Sequence, residues 1–113
     1  MSRTFVVGKP DKTFTDRQRI VRRAQKEATQ VIREGVTCRE VDRTARRVIR
    51  DAGYGDFFGH ALGHGVGLEV HEEPRLSSAS RKKLRAGMIV TVEPGIYIPD
   101  WGGIRLENMV VVR

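Results

Sequence analysis

The chain has 113 residues, of which 39% are hydrophobic, 31% charged and only 6% aromatic. That balance excludes disordered and collagen-like classes and implies one domain, residues 1–113, with an aliphatic core. Its net charge of +7 is concentrated in residues 16–50, where eleven Lys and Arg stand against five Asp and Glu. Because these arginines recur at helical spacing among glutamates, they read as a solvated helix face, and a nucleic-acid partner is not expected.

No apolar run approaches the ~20 residues of a membrane span. The start, Met1-Ser2-Arg3-Thr4-Phe5, lacks the apolar stretch of a signal peptide. Cys38 stands alone, so no internal disulfide can form, and a cytoplasmic setting is expected.

In chain order, Arg3–Val7 reads as a short strand and Gly8-Lys9-Pro10-Asp11 as a turn. Thr15, with Gln18 three residues on, has the pattern of a capped helix start. Ile20, Val21, Ala24, Ala28, Val31 and Ile32 then form one apolar stripe, with Gly35 expected to end the helix. Thr37 and Glu40 form a capping box for a second helix, and Val36 and Val41 a hydrophobic staple. Val41, Ala45, Val48 and Ile49 make its buried stripe, and Gly53 stops it. Cys38 in its first turn reads as a tolerated small residue, since a reactive thiol needs a partnered base.

Beyond Gly53 the chain is glycine-rich, and then three strands are expected: Met88–Val92, Gly95–Ile98 and a stretch from Ile104 to Val112, the last two separated by a turn through Trp101-Gly102-Gly103. Hairpin-length connections make the sheet antiparallel, so the class is α+β.

Three stretches carry chemistry. All three histidines, His60, His64 and His71, fall within twelve positions, and Gly63, Gly65 and Gly67 alternate around the middle one. Imidazole ligates metals and moves protons near neutral pH. Glu93 ends an apolar strand at a Pro94-Gly95 bend, which aims a carboxylate toward a cleft. Arg105 and Glu107 share a strand face, so the guanidinium can orient the carboxylate. One imidazole and two carboxylates, from His64, Glu93 and Glu107, suit Mn, Fe, Co or Zn with water completing the shell.

Together these stretches resemble the C-terminal half of the pita-bread metallopeptidases, in the branch of the Xaa-Pro aminopeptidases and prolidases. Arg3-Thr-Phe-Val-Val-Gly-Lys-Pro is similar to the segment after that family's second metal-binding Asp, and Arg105-Leu106-Glu107 fits this branch better than the methionine aminopeptidases. The resemblance implies that His64, Glu93 and Glu107 are metal ligands, with Glu93 also assisting proton transfer and Glu107 bridging two ions. It implies that His60 contacts substrate in the cleft, that His71 hydrogen-bonds substrate around the scissile amide, and that Arg105 supports the site. It implies hydrolysis of the bond between an N-terminal residue and proline, with divalent Mn, Co or Zn.

Two further ligands in the family are Asp residues upstream of the Arg-Thr-Phe segment, where this sequence has only Met1-Ser2. The expectation is therefore a half of the pita-bread fold, a helix pair on a curved antiparallel sheet, with at most one weak metal site per chain and little activity alone. Its expected partner is a second copy in a homodimer or the N-terminal half. The alternative is an engineered or natural non-catalytic half-domain serving a structural or interaction role.

Overall fold

The computed structural model describes residues 1–69 and 71–113. Two helices, α1 (Lys12–Val31) and α2 (Cys38–Asp51), precede six strands: β1 (Gly63–Gly65), β2 (Glu72–Leu76), β3 (Ile89–Val92), β4 (Gly95–Ile98), β5 (Gly102–Arg105) and β6 (Asn108–Val111). Four strands form an antiparallel sheet in the order β2-β1-β3-β6, and β4 pairs with β5. The class is α+β, as the hairpin-length connections required. Among the described residues no helix is long and apolar enough to cross a membrane.

The helix pair forms from the apolar stripes. Val21, Ala24 and Ala28 of α1 are fully buried, as are Val41, Ala45 and Ile49 of α2. They join Leu62, Leu76, Val90, Val92, Ile96 and Ile104 from the sheet side in one core. The capping box of α2 is present: Glu40 N donates to Thr37 Oγ1 and Thr37 N to the Glu40 carboxylate. Cys38 is buried at the start of this helix, and burial pushes its thiol up, away from the reactive range. Gly53 follows α2 at φ 93°, a left-handed stop.

Four local expectations are corrected. Helix α1 starts earlier than Thr15: Asp11 is the cap, accepting from Phe14 N at 2.8 Å, and Thr15 Oγ1 bonds back to the Asp11 carbonyl. A carboxylate just after Pro10 satisfies the free N–H groups one turn sooner. The same helix ends at Val31, ahead of Gly35, whose positive φ serves the interhelical turn where its N–H meets Leu84 O.

Residues 3–7 join neither sheet. They run beside the β5–β6 junction, held by Glu107 N to Ser2 O, by Arg3 Nη1 to Glu107 O and by Thr4 Oγ1 with Arg105. Side chains there take the groups a strand would have used. The stretch from Ile104 is two strands, because Leu106 turns its N–H to Pro94 O and its side chain into the core.

The sequence offered no strand at β1 or β2, since three residues of Gly-His-Gly and a Pro-containing run lack β-branched character. The strand expected over Met88–Val92 runs from Ile89 to Val92 and pairs on both sides, with β1 and with β6, so it is interior and leaves no free edge for a partner.

Below the sheet, Asp42 of α2 is fully buried. Its carboxylate takes Arg46 Nε at 2.9 Å and Nη2 at 3.0 Å, and Leu62 N at 3.1 Å. Arg46 goes on to donate to the carbonyls of Phe58 and His60. Asp42→Ala strands a buried N–H and a half-buried cation, and is expected to lower stability by about 3 kcal/mol. Urea denaturation checks this: a midpoint shift within error of zero would deny the pair its anchoring role.

Candidate metal centre

Two carboxylates are set by one register. The pairs Ile89–Val111 through Val92–Asn108 and the pairs Gly95–Arg105 through Ile98–Gly102 keep the same alignment. The four strands are therefore one long hairpin, interrupted only at Glu93-Pro94 and Leu106-Glu107. Pro94 has no N–H to give, and at this interruption the ribbon passes from one sheet to the other. The register sets Glu93 across from Glu107. A buried helix glutamine, Gln25, braces the break by donating to Val92 O at 3.2 Å. Glu93 N itself donates to Leu62 O at 2.8 Å.

The imidazole comes from β1, which is squeezed between two neighbours. A Cβ on Gly63 would lie 1.8 Å from Thr91 O, and one on Gly65 2.2 Å from Glu73 O. Only glycine permits that approach. The register between β1 and β2 jumps after His64, so Glu73 and Pro74 bulge toward Gly65. Alternation along the strand buries both glycines and leaves His64 on the cleft side.

His64 Nδ1 lies 2.7 Å from Gly65 O. A carbonyl only accepts, so Nδ1 carries the proton and Nε2 presents a lone pair. Nε2 is 3.5 Å from Glu93 Oε2. Ligand atoms of His64, Glu93 and Glu107 all lie within 4.8 Å of one another.

The electrostatics of this cluster favour a cation. Burial raises the Glu93 carboxyl above its usual range, and its hydrogen bond with Glu107 adds to the rise. The same bond holds Glu107 below the usual range. A proton shared by the pair would cut their joint charge from two to one. Glu93 Oε2 is also buried with no hydrogen-bond partner. An orphaned carboxylate oxygen, a second carboxylate and an aimed imidazole lone pair fit a divalent ion, which would replace the shared proton.

Beside His64 and Glu93 opens a cleft of about 970 Å³, lined also by His60, His71, Arg75 and Arg105, while Glu107 lines a smaller adjoining one of about 360 Å³. His71 stands edge-on to His64 with ring centroids 4.5 Å apart. Both ring nitrogens of His60 are engaged, by Ala61 O and by Tyr97 Oη, each at 2.7 Å. Arg105 does not hydrogen-bond Glu107 directly. It donates to Ser2 Oγ at 3.2 Å, and that hydroxyl donates to Glu107 Oε1 at 3.3 Å. The expected guanidinium–carboxylate contact is thus relayed, because the break at Leu106 takes Glu107 off the β5 face.

Sequence reasoning missed Gln25, Thr91, Arg75 and Tyr97. Gln25 carried a signal, as a polar residue beside the buried stripe of α1. Thr91, which accepts from His64 N at 3.0 Å, looked like any β-branched strand residue.

Gly63→Ala and Gly65→Ala must displace backbone carbonyls and are expected to cost at least about 2 kcal/mol each. Gly67→Ala, whose Cβ meets only the end of the Glu72 side chain, is expected to be far milder. Thermal melts of the three variants check this, and equal losses in all three would refute it.

Comparison with known proteins places this geometry. The model of metallopeptidase family M24 matches residues 1–113. The Xaa-Pro dipeptidase of Pyrococcus furiosus is 48% identical over 112 residues, which are 99% of this chain and 32% of that protein. The structure of an Xaa-Pro dipeptidase from Bacillus anthracis superposes with a TM-score of 0.96 at 47% identity, covering 98% of this chain and 31% of that one. A methionine aminopeptidase from Rickettsia prowazekii shares the fold alone, at 19% identity and a TM-score of 0.81 over 97% of this chain and 53% of its own. The chain spans about a third of the length of the Xaa-Pro dipeptidases it matches. Its helix pair and antiparallel sheets are a portion of the pita-bread architecture, and the chain belongs to metallopeptidase family M24.

Proposed function

We propose that the chain supplies part of the metal-binding cleft of an Xaa-Pro peptidase, with His64, Glu93 and Glu107 holding a divalent Mn, Co or Zn ion. The observation that carries this reading is the meeting within 4.8 Å of three ligand atoms from residues far apart along the chain. Its context, a family M24 chain nearly half identical to an Xaa-Pro dipeptidase, supplies the reaction class. Bound there, the ion would polarise a peptide carbonyl and acidify a water.

The remaining roles fall to side chains. Glu93, whose burial favours its protonated form, takes a proton and returns it to the departing amine. His71, beside His64, gives a hydrogen bond at the scissile amide. His60 and Arg105 form the wall against which a peptide with proline in second position lies. Three protein ligands leave positions open for water and for donors from a second copy of this chain or from a complementary half-domain. Ile89, Met109 and Val111, exposed on β3 and β6, give a second copy an apolar surface to cover.

Calorimetric titration of the 113-residue chain with Mn is expected to show a single weak site. His64→Ala should weaken it by about a hundredfold or more. Two tight sites, or no change in the variant, would sink the assignment. Hydrolysis of an Xaa-Pro dipeptide by the same chain is expected to be negligible, because catalysis demands ligand geometry accurate to about 0.5 Å. Efficient turnover abolished by Glu93→Ala would overturn that expectation. Sedimentation equilibrium reads the partner: a monomer persisting at millimolar concentration would exclude the homodimer.

A further inference from the structure

One side chain beside the cleft has no part in that chemistry yet sits in a site built for it. Tyr97 lies on β4 across from Gly103 of β5. Its ring lies along the hairpin over two glycines. A Cβ on Gly95 would come within 2.6 Å of the Tyr97 hydroxyl oxygen, and one on Gly103 within 2.7 Å of its ring carbon Cδ1. Alanine at Gly103 would drive the ring off the ribbon, so the two glycines form a slot shaped to it.

From this slot the hydroxyl reaches His60 Nε2 at 2.7 Å. The direction of that bond follows from the other nitrogen. Nδ1 lies 2.7 Å from Ala61 O, which can only accept, so the neutral ring carries its proton on Nδ1 and accepts at Nε2. Tyr97 is therefore the donor, and the Arg105 guanidinium lies beside the phenol.

The imidazole is held from other sides too. It stands edge-on to Phe58 with centroids 5.2 Å apart, and Arg46 covers the Phe58 ring at 4.2 Å while bonding the His60 carbonyl. An unsupported imidazole would rotate about its side-chain torsions and exchange tautomers. Here backbone, ring edge and both nitrogens are fixed.

We propose that Tyr97 is a positioning residue of the cleft, whose hydroxyl, seated over Gly95 and Gly103, holds His60 in the Nδ1–H tautomer with Nε2 as a committed acceptor. The value of this to peptide binding rests on the peptidase reading above. A substrate N–H that seeks Nε2 must displace a phenol already there, so Tyr97 sets when His60 becomes available to a peptide.

The test reads the imidazole, not turnover, and needs no metal, so it stands apart from the fate of the peptidase reading. Long-range ¹H–¹⁵N spectra of the histidine-labelled 113-residue chain are recorded at pH 8.5, above the ordinary imidazole range of about 6.5. In the wild type, His60 Nδ1 is expected to resonate as a protonated nitrogen and Nε2 as an acceptor shifted upfield by its hydrogen bond. Tyr97→Phe should move Nε2 downfield, toward the value of a free lone pair, with backbone amides outside β4 and β5 unchanged. Gly103→Ala, which keeps the hydroxyl but displaces the ring, should do the same. A wild-type proton on Nε2, or an Nε2 resonance that Tyr97→Phe leaves in place, would overturn the proposal. The wild-type spectrum alone decides the tautomer should either variant not fold.

Discussion

Everything at the candidate metal centre hangs on two carboxylates facing each other across one hairpin. Like charges set opposite on neighbouring strands repel. Burial and the facing Glu107 push Glu93 up from the ordinary range, and the same pairing holds Glu107 below it. A proton or a metal ion between the two carboxylates would relieve that repulsion. Continuous pairing above and below the break keeps the two side chains from swinging apart.

The helix pair serves this centre from beneath. Gln25 of α1 ties down the carbonyl just before Glu93, and Asp42 of α2 accepts the amide of Leu62, whose own carbonyl accepts from Glu93 N. Arg46 extends the same connection to the backbone of Phe58 and His60. Polar groups buried in this way are costly unless every partner is present, and that strictness is what transmits the position of the helices to the cleft. The arginines on the outer helix faces do a different job, as exposed residues paired in part with neighbours, such as Arg23 with Glu27.

Much of this was legible in the residues. Both helices, the α2 capping box and β4 to the residue followed from period and capping chemistry, while His64, Glu93 and Glu107 were joined by donor type together with the family resemblance. What escaped was decided by contacts distant in sequence. Gly63-His64-Gly65 forms a strand because two neighbours close on it, and its own propensities argue otherwise. Arg3–Val7 has strand-like residues, but the main-chain bond to its neighbour is made by Ser2 just before it, so propensity alone misplaced it. The Thr15 cap lost to Asp11 because both patterns were sound and the earlier one closed a full turn more. The His60–Tyr97 bond spans 37 positions and follows from the hairpin fold, which no local pattern displays.

The single register of that hairpin also acts as a ruler for insertions and deletions. The three residues between β4 and β5, Pro99 to Trp101, lie beyond both carboxylates, and a loop of different length there leaves Glu93 opposite Glu107. One residue added within either arm is another matter. Because side chains alternate with period two, it would turn the side chains between it and the tip to the opposite face, while the β3–β6 pairing still sets Glu93 across from Glu107. Length variation at this tip is therefore neutral to the two carboxylates, whereas a one-residue frame slip between Gly95 and Tyr97 would turn the phenol away from His60.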